Sequence, residues 1–164
     1  MRRFRHELRY DADPDAVFGM LTDPAFRERV CRSQQARECR VEVTPLGQGA
    51  TVVVDQVRPV DGVPGFARRF VGDRIQVVQR EQWSGSSSAD LDVTIPDRPG
   101  RLLGTVTLAA DGAGTVETVD GDLEVRIPVV GGRLEELVAA LLGEALRVEQ
   151  QTGSAWLRAS GRPS

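Results

Sequence analysis

The chain has 164 residues, 40% of them hydrophobic and 27% charged, with a formal net charge of -3. That length suits one domain whose core needs no metal or disulfide support, and the composition excludes a disordered chain. The basic residues are scattered instead of massed into a tract that could neutralise a phosphate backbone, so nucleic acid is not an expected partner.

Phe4, His6, Leu8 and Tyr10 alternate with Arg5, Glu7 and Arg9, the period of a strand with one covered and one wet face. Glu7, Arg9, Asp11 and Asp13 interrupt the apolar run that a secretory signal would need. Asp13-Pro14-Asp15 then supplies a capping carboxylate before a proline suited to a first helical turn, and Ala16, Val17, Met20 and Leu21 follow at helical spacing. Thr22-Asp23-Pro24 repeats the signal, which predicts a second short helix to about Arg32.

From Ala36 the pattern returns to alternation, with Cys39, Val41 and Val43 opposite Glu38, Arg40, Glu42 and Thr44. The turn residues Pro45 to Gly49 lead into Thr51-Val52-Val53-Val54, a hairpin. Pro59 to Gly65 reads as loop, and Phe66, Ala67 and Phe70 are too few to define a structure, so a mobile flap is expected there. Ile75, Val77, Gln79, Glu81 and Trp83 share one strand face, and Ser84 to Ser88 connects to Leu91, Val93 and Ile95. Strands from Arg101 to Ala110 and from about Gly114 to Ile127 complete a count of roughly seven. Tight connections between them favour antiparallel pairing.

Beyond Pro128 and a Gly131-Gly132 hinge, Leu134, Leu137, Val138, Leu141, Leu142, Ala145, Val148, Thr152 and Trp156 recur every three or four residues. One long amphipathic helix is predicted, with Glu135, Glu136, Glu144, Arg147 and Gln151 outside and the sheet's inner face as partner to the apolar stripe. The expected division is a single domain over 1–159 and a flexible tail over 160–164.

No span approaches membrane length, so stable membrane insertion is not expected. Cys31 and Cys39 form neither a CxxC pair nor a disulfide framework, and with a single histidine they offer no zinc pattern. Reduced thiols in a cytoplasm are the economical reading. The glycines form neither a P-loop nor a GxGxxG unit, so no nucleotide cofactor is expected, and no other cofactor is implied.

The order strand, two short helices, about six strands and a long terminal helix resembles the SRPBCC superfamily, also called START-like or birch-pollen-allergen-like proteins. The resemblance is carried by Asp13-Pro14-Asp15-Ala16-Val17-Phe18 after the opening strand, by Glu81-Gln82-Trp83, and by the helix from Ile127-Pro128 to Trp156. Gly72-Asp73-Arg74 and Val125 to Gly132 are similar to an uncharacterised bacterial subgroup of it. The resemblance implies an α+β helix-grip fold, a curved antiparallel sheet wrapped around the C-terminal helix. A bent sheet cannot touch a straight helix along its whole length, so a hollow remains, lined by alternate strand residues. Members bind lipids, sterols, plant hormones or polyketides there, and some are cyclases or hydroxylase subunits.

The candidate cavity residues are His6, Tyr10, Val54, Gln79, Glu81, Trp83, Val93, Val106, Leu141, Ala145, Glu149, Thr152 and Trp156. Glu149 stands out because its helical position falls among Ala145, Val148, Thr152 and Trp156, where burial would raise its pKa and suit it to acid catalysis or to anchoring a ligand hydroxyl. The alternative is an edge position that reaches solvent or pairs with an arginine. Gln79 and Glu81 share an inward phase, which a structural hydrogen-bond network explains more simply than a ligand contact. His6 has no serine or cysteine at a spacing that suggests a triad, and Tyr10 at a strand end commonly bridges core and solvent.

Three functions stay open. The first, favoured by the absence of a catalytic constellation, is non-enzymatic binding of a small hydrophobic molecule such as a lipid or polyketide. The second is a cyclase or aromatase-like enzyme using the cavity carboxylates. The third is an interaction module with a closed core, working through Pro59 to Phe70 or a sheet edge. Oligomeric state is not legible in the sequence.

Overall fold

A computed structural model describes residues 1–160. The elements run β1 (Arg2–Tyr10), α1 (Pro14–Leu21), α2 (Pro24–Ser33), β2 (Glu38–Leu46), β3 (Gly49–Arg58), α3 (Gly65–Val71), β4 (Ile75–Trp83), β5 (Ser88–Thr94), β6 (Gly100–Asp111), β7 (Gly114–Val125) and α4 (Gly131–Ser160). Seven strands form one antiparallel sheet in the order β1-β7-β6-β5-β4-β3-β2, a meander from β2 to β7 with β1 added beside β7. Ser160 closes α4, so it is helical where a tail was expected; 161–164, the rest of that tail, lie outside the described residues.

Local chemistry explains the helix starts. Asp13 accepts a hydrogen bond from the Ala16 amide at 2.8 Å and Asp23 one from the Ala25 amide at 2.9 Å, each ahead of a proline that has no amide hydrogen to leave unpaired. Two backbones approach closely where Gly104 of β6 faces Gly121 of β7. A Cβ on Gly104 would stand 2.0 Å from the Asp120 carbonyl oxygen and one on Gly121 2.4 Å from that of Leu103, so neither position accepts a side chain.

Four expectations are corrected. The Phe66 to Phe70 stretch is a helix, α3, because Phe66, Ala67 and Phe70 fall on one face and pack with Val63, Val125 and Leu134 in an apolar cluster separate from the main core. Glu135 is buried, not on the outer side of α4, and its carboxylate accepts the Val125 amide hydrogen at 3.1 Å, capping the end of β7. That backbone bond holds its pKa below the usual range. β7 ends at Val125 instead of Ile127, and Gly131 and Gly132 are the first residues of α4 rather than a hinge before it.

Candidate functional site

The strands divide the interior into two ends. At one end lie the close of β1, the starts of β3 and β7, the close of β4, and the helices α1 and α2. The C-terminal half of α4 crosses here, and the space is filled. Phe18 meets Trp83 edge to face at 5.3 Å, Phe26 meets Trp156 at 5.6 Å, and Leu8, Val17, Leu21, Val52 and Val106 are buried around them.

Inside this packed end sits a charged cluster. Arg27 of α2 is 3% exposed; its Nη2 donates to Glu81 Oε1 at 2.7 Å and its Nε to the Leu21 carbonyl at 2.7 Å. Glu81 also accepts from the indole of Trp83 at 3.0 Å and from the amide of Gln79. Glu117 of β7 and Glu149 of α4 are buried close enough for their charges to act on Arg27 and on each other. Burial opposes the charge of Arg27, but the three carboxylates outweigh it and raise its pKa.

One arginine cannot compensate three carboxylates. Burial, then repulsion from Glu149 and Glu81, pushes Glu117 well above the usual carboxylate range. Burial raises Glu149 to about 7, with Arg27 opposing and Glu81 reinforcing. Burial, reinforced by the neighbouring Glu117 and Glu149 carboxyl groups, raises the Tyr10 phenol and holds it neutral. Among the described residues neither the Tyr10 hydroxyl nor Glu117 Oε1 has a hydrogen-bond partner.

The other end is hollow. A cavity of about 210 Å³ lies between the N-terminal half of α4, the inner faces of β4 to β7 and the segment from Pro59 to Val71. Its wall is mainly aliphatic, with Val77, Val93, Leu102 and Leu123 on the sheet side, Leu134 and Leu137 on α4, and Phe70 on α3. Exposed Leu141, Arg98 and Arg101 belong to the same wall and mark its opening to solvent. An engineered apolar cavity of about 150 Å³ takes up benzene, so this space suffices for a ring or a short acyl chain.

Of the sequence-predicted site residues, Val93, Leu141 and Ala145 line the cavity. Tyr10, Glu81, Trp83, Glu149, Thr152 and Trp156 lie instead at the packed end, with Val54 and Val106 in the same core cluster. Gln79 serves Glu81, and Thr152 returns its hydroxyl hydrogen to the Val148 carbonyl at 2.9 Å. His6 stacks on Phe4 and stands near Gly143 of α4. The expected hollow beside Glu149 and Trp156 is therefore occupied, because α1 and α2 bring Phe18 and Phe26 into it. Sequence reasoning missed Glu117 and Arg27, although Glu117 alternates inward with Thr115 and Val119, and Arg27 sits between Phe26 and Val30 on the buried face of α2.

The fold is that of the START-like, helix-grip proteins. A START superfamily protein from Mycobacterium smegmatis superposes with a TM-score of 0.64 at 13% identity, over 94% of this chain and 98% of that one. The di-domain ARO/CYC StfQ from the steffimycin biosynthetic pathway gives 0.66 at 10% identity, over 97% of this chain and 51% of that one. Within that fold the chain belongs to the family described as a protein of unknown function (DUF2505), which it matches over residues 5–157. An uncharacterized protein of Mycobacterium tuberculosis is 29% identical over 112 residues, 65% of this chain. The match spans 64% of that curated relative's length. Among the described residues no helix is long and apolar enough to cross a membrane, and no group of three or more His, Cys, Asp or Glu side chains could hold a metal ion.

Proposed function

We propose that the chain binds a small hydrophobic molecule, of lipid or polyketide character, in the cavity between α4 and the sheet, without transforming it. The observation that carries this reading is the cavity itself: about 210 Å³, walled by aliphatic side chains from four strands and two helices, and open at Leu141. An apolar wall with a few polar groups at the rim is the usual make-up of a small-molecule site. Kinship of fold with a START superfamily protein and with an ARO/CYC protein supports a ligand-binding role.

The cyclase reading draws less support. Glu149, Glu81, His6 and Tyr10, its proposed acid and base groups, are not in the cavity wall, and Glu81 is committed to Arg27, Trp83 and Gln79. An acid catalyst must come within hydrogen-bond reach of the proton it moves. Val93, Leu141 and Ala145 are the contact residues in the binding reading. Cys31 and Cys39 as free thiols fit work in a reducing cytoplasm.

Native mass spectrometry of gently purified protein, followed by displacement of a neutral fluorescent naphthylamine probe by a panel of lipids and aromatic polyketides, tests the proposal. Co-purified mass or saturable displacement is expected. Failure to bind the probe and every member of the panel would refute it.

A further inference from the structure

We infer, on the basis of the cavity reading above, that the ligand is an anionic amphiphile: its apolar body fills the cavity and its carboxylate or phosphate rests against the guanidinium of Arg58, with Arg98 at the mouth. Three arginines, Arg58, Arg98 and Arg101, belong to the wall of this otherwise apolar space, and among the described residues no aspartate or glutamate does.

Arg58 carries the inference. It stands at the end of β3, opposite Ile75 at the start of β4, and is half-buried. Among the described residues it makes no ion pair. Its Nη1 donates to the neutral Gln34 Oε1 at 3.4 Å, and its Nε is buried with no acceptor. Burial lowers its pKa, as expected of a cation withdrawn from water without a counter-ion. Arg27 shows what the same chain does with a cation it means to neutralise internally, since it is paired with Glu81 at 2.7 Å.

A buried donor without an acceptor is costly, and a buried charge without a counter-ion more so. A neutral ligand would leave Arg58 in that condition, and a cationic one would worsen it. An oxyanion would supply both the missing acceptor and the counter-charge through charge-assisted bonds.

The flanking arginines differ in what they add. Arg98 lies in the turn between β5 and β6, exposed and without an ion pair among the described residues; its Nη2 stands 3.2 Å from where a Cβ on Gly72 would lie. Arg101 is engaged by Asp92 through two hydrogen bonds of 3.1 and 2.7 Å, so most of its charge is already answered. The head group is therefore assigned to Arg58 first and Arg98 second.

The test compares decanoate, decyl phosphate and decanol on the intact protein by displacement of the neutral naphthylamine probe. The three share one tail and differ only in the head. At least one anion should bind about tenfold or more tightly than decanol, and the tighter of the two names the head group. In Arg58→Met that preference should fall toward unity while decanol affinity stays within about twofold. Arg58→Lys should restore part of it. Thermal unfolding checks that each variant is folded. Should Arg58→Met not fold, the wild-type ranking and Arg98→Ala, expected to weaken only the anions, decide the matter. Equal affinities for the three compounds in wild type would overturn this inference while leaving the cavity reading standing. No binding of any of them would overturn the cavity reading and the inference together.

Discussion

Replacing Glu149 by glutamine removes one ionisable group from the Arg27 cluster while keeping the side chain's size. Glu149 is 5% exposed, and its pKa is raised from 4.5 to about 7, first by burial. Between those values the native state keeps a proton that the unfolded chain has released, so stability falls as pH rises through that window. Below pH 4.5 both states are protonated and nothing is lost; above about 7 the whole penalty applies. A gap of about 2.5 units at 1.36 kcal/mol each amounts to about 3 kcal/mol. Glu149→Gln cannot incur that loss. Relative to wild type it should gain progressively between about pH 5 and pH 8, by up to about 3 kcal/mol or about 6–12 °C in Tm for a domain of this size. Urea unfolding midpoints measured at half-unit pH intervals supply the readout. Parallel pH profiles for the two proteins would refute the buried, uncompensated carboxyl on which the reasoning depends.

Arg27→Met should have the opposite effect near neutral pH. It leaves Glu81 buried without its counter-ion and should cost about 3–5 kcal/mol in urea unfolding. Gly153→Ala would place a methyl 2.7 Å from Tyr10 Cε1 and 3.0 Å from Met20 Cε, an overpacking expected to cost about 1–3 kcal/mol. Gly19→Ala in α1, whose new Cβ meets nothing within 4 Å, should instead gain up to about 1 kcal/mol from helix propensity, both being measured by thermal unfolding. Val93→Phe extends a ring into the cavity, and probe affinity should drop about tenfold while the far-ultraviolet circular dichroism stays unchanged.

The element order was legible because each segment carries its own period. Alternation marks β1 through Tyr10 and β4 through Trp83, and the apolar stripe of α4 continues from Leu134 to Trp156. Asp13-Pro14 and Asp23-Pro24 announce helices because capping and a fixed proline φ act within a single turn. The short α3 is not legible in the sequence: seven residues hold too few repeats for a period, and its packing partners Val125 and Leu134 are distant in the chain. The burial of Glu135 is hidden from the sequence for a similar reason, since the amide it caps belongs to Val125 at the end of β7.

The inward phase of Glu81 and the position of Glu149 within the α4 stripe were readable from periodicity alone, which reports which face a residue occupies. Periodicity carries no information on what stands opposite. That Arg27 answers Glu81, that Glu117 joins the cluster, and that Arg58 has no counter-charge among the described residues depend on how α2, β3, β4 and β7 come together. The location of the cavity is of the same kind. A bent sheet over a straight helix guarantees surplus space, but α1 and α2 fill one end with Phe18 and Phe26, and only their packing leaves the Leu134 to Leu141 end hollow. Local sequence determined the elements and their buried faces because backbone propensity and side-chain phase act over a few residues. Tertiary structure decided the charge pairing and the empty volume, since both are set by groups far apart in the chain that meet only after folding.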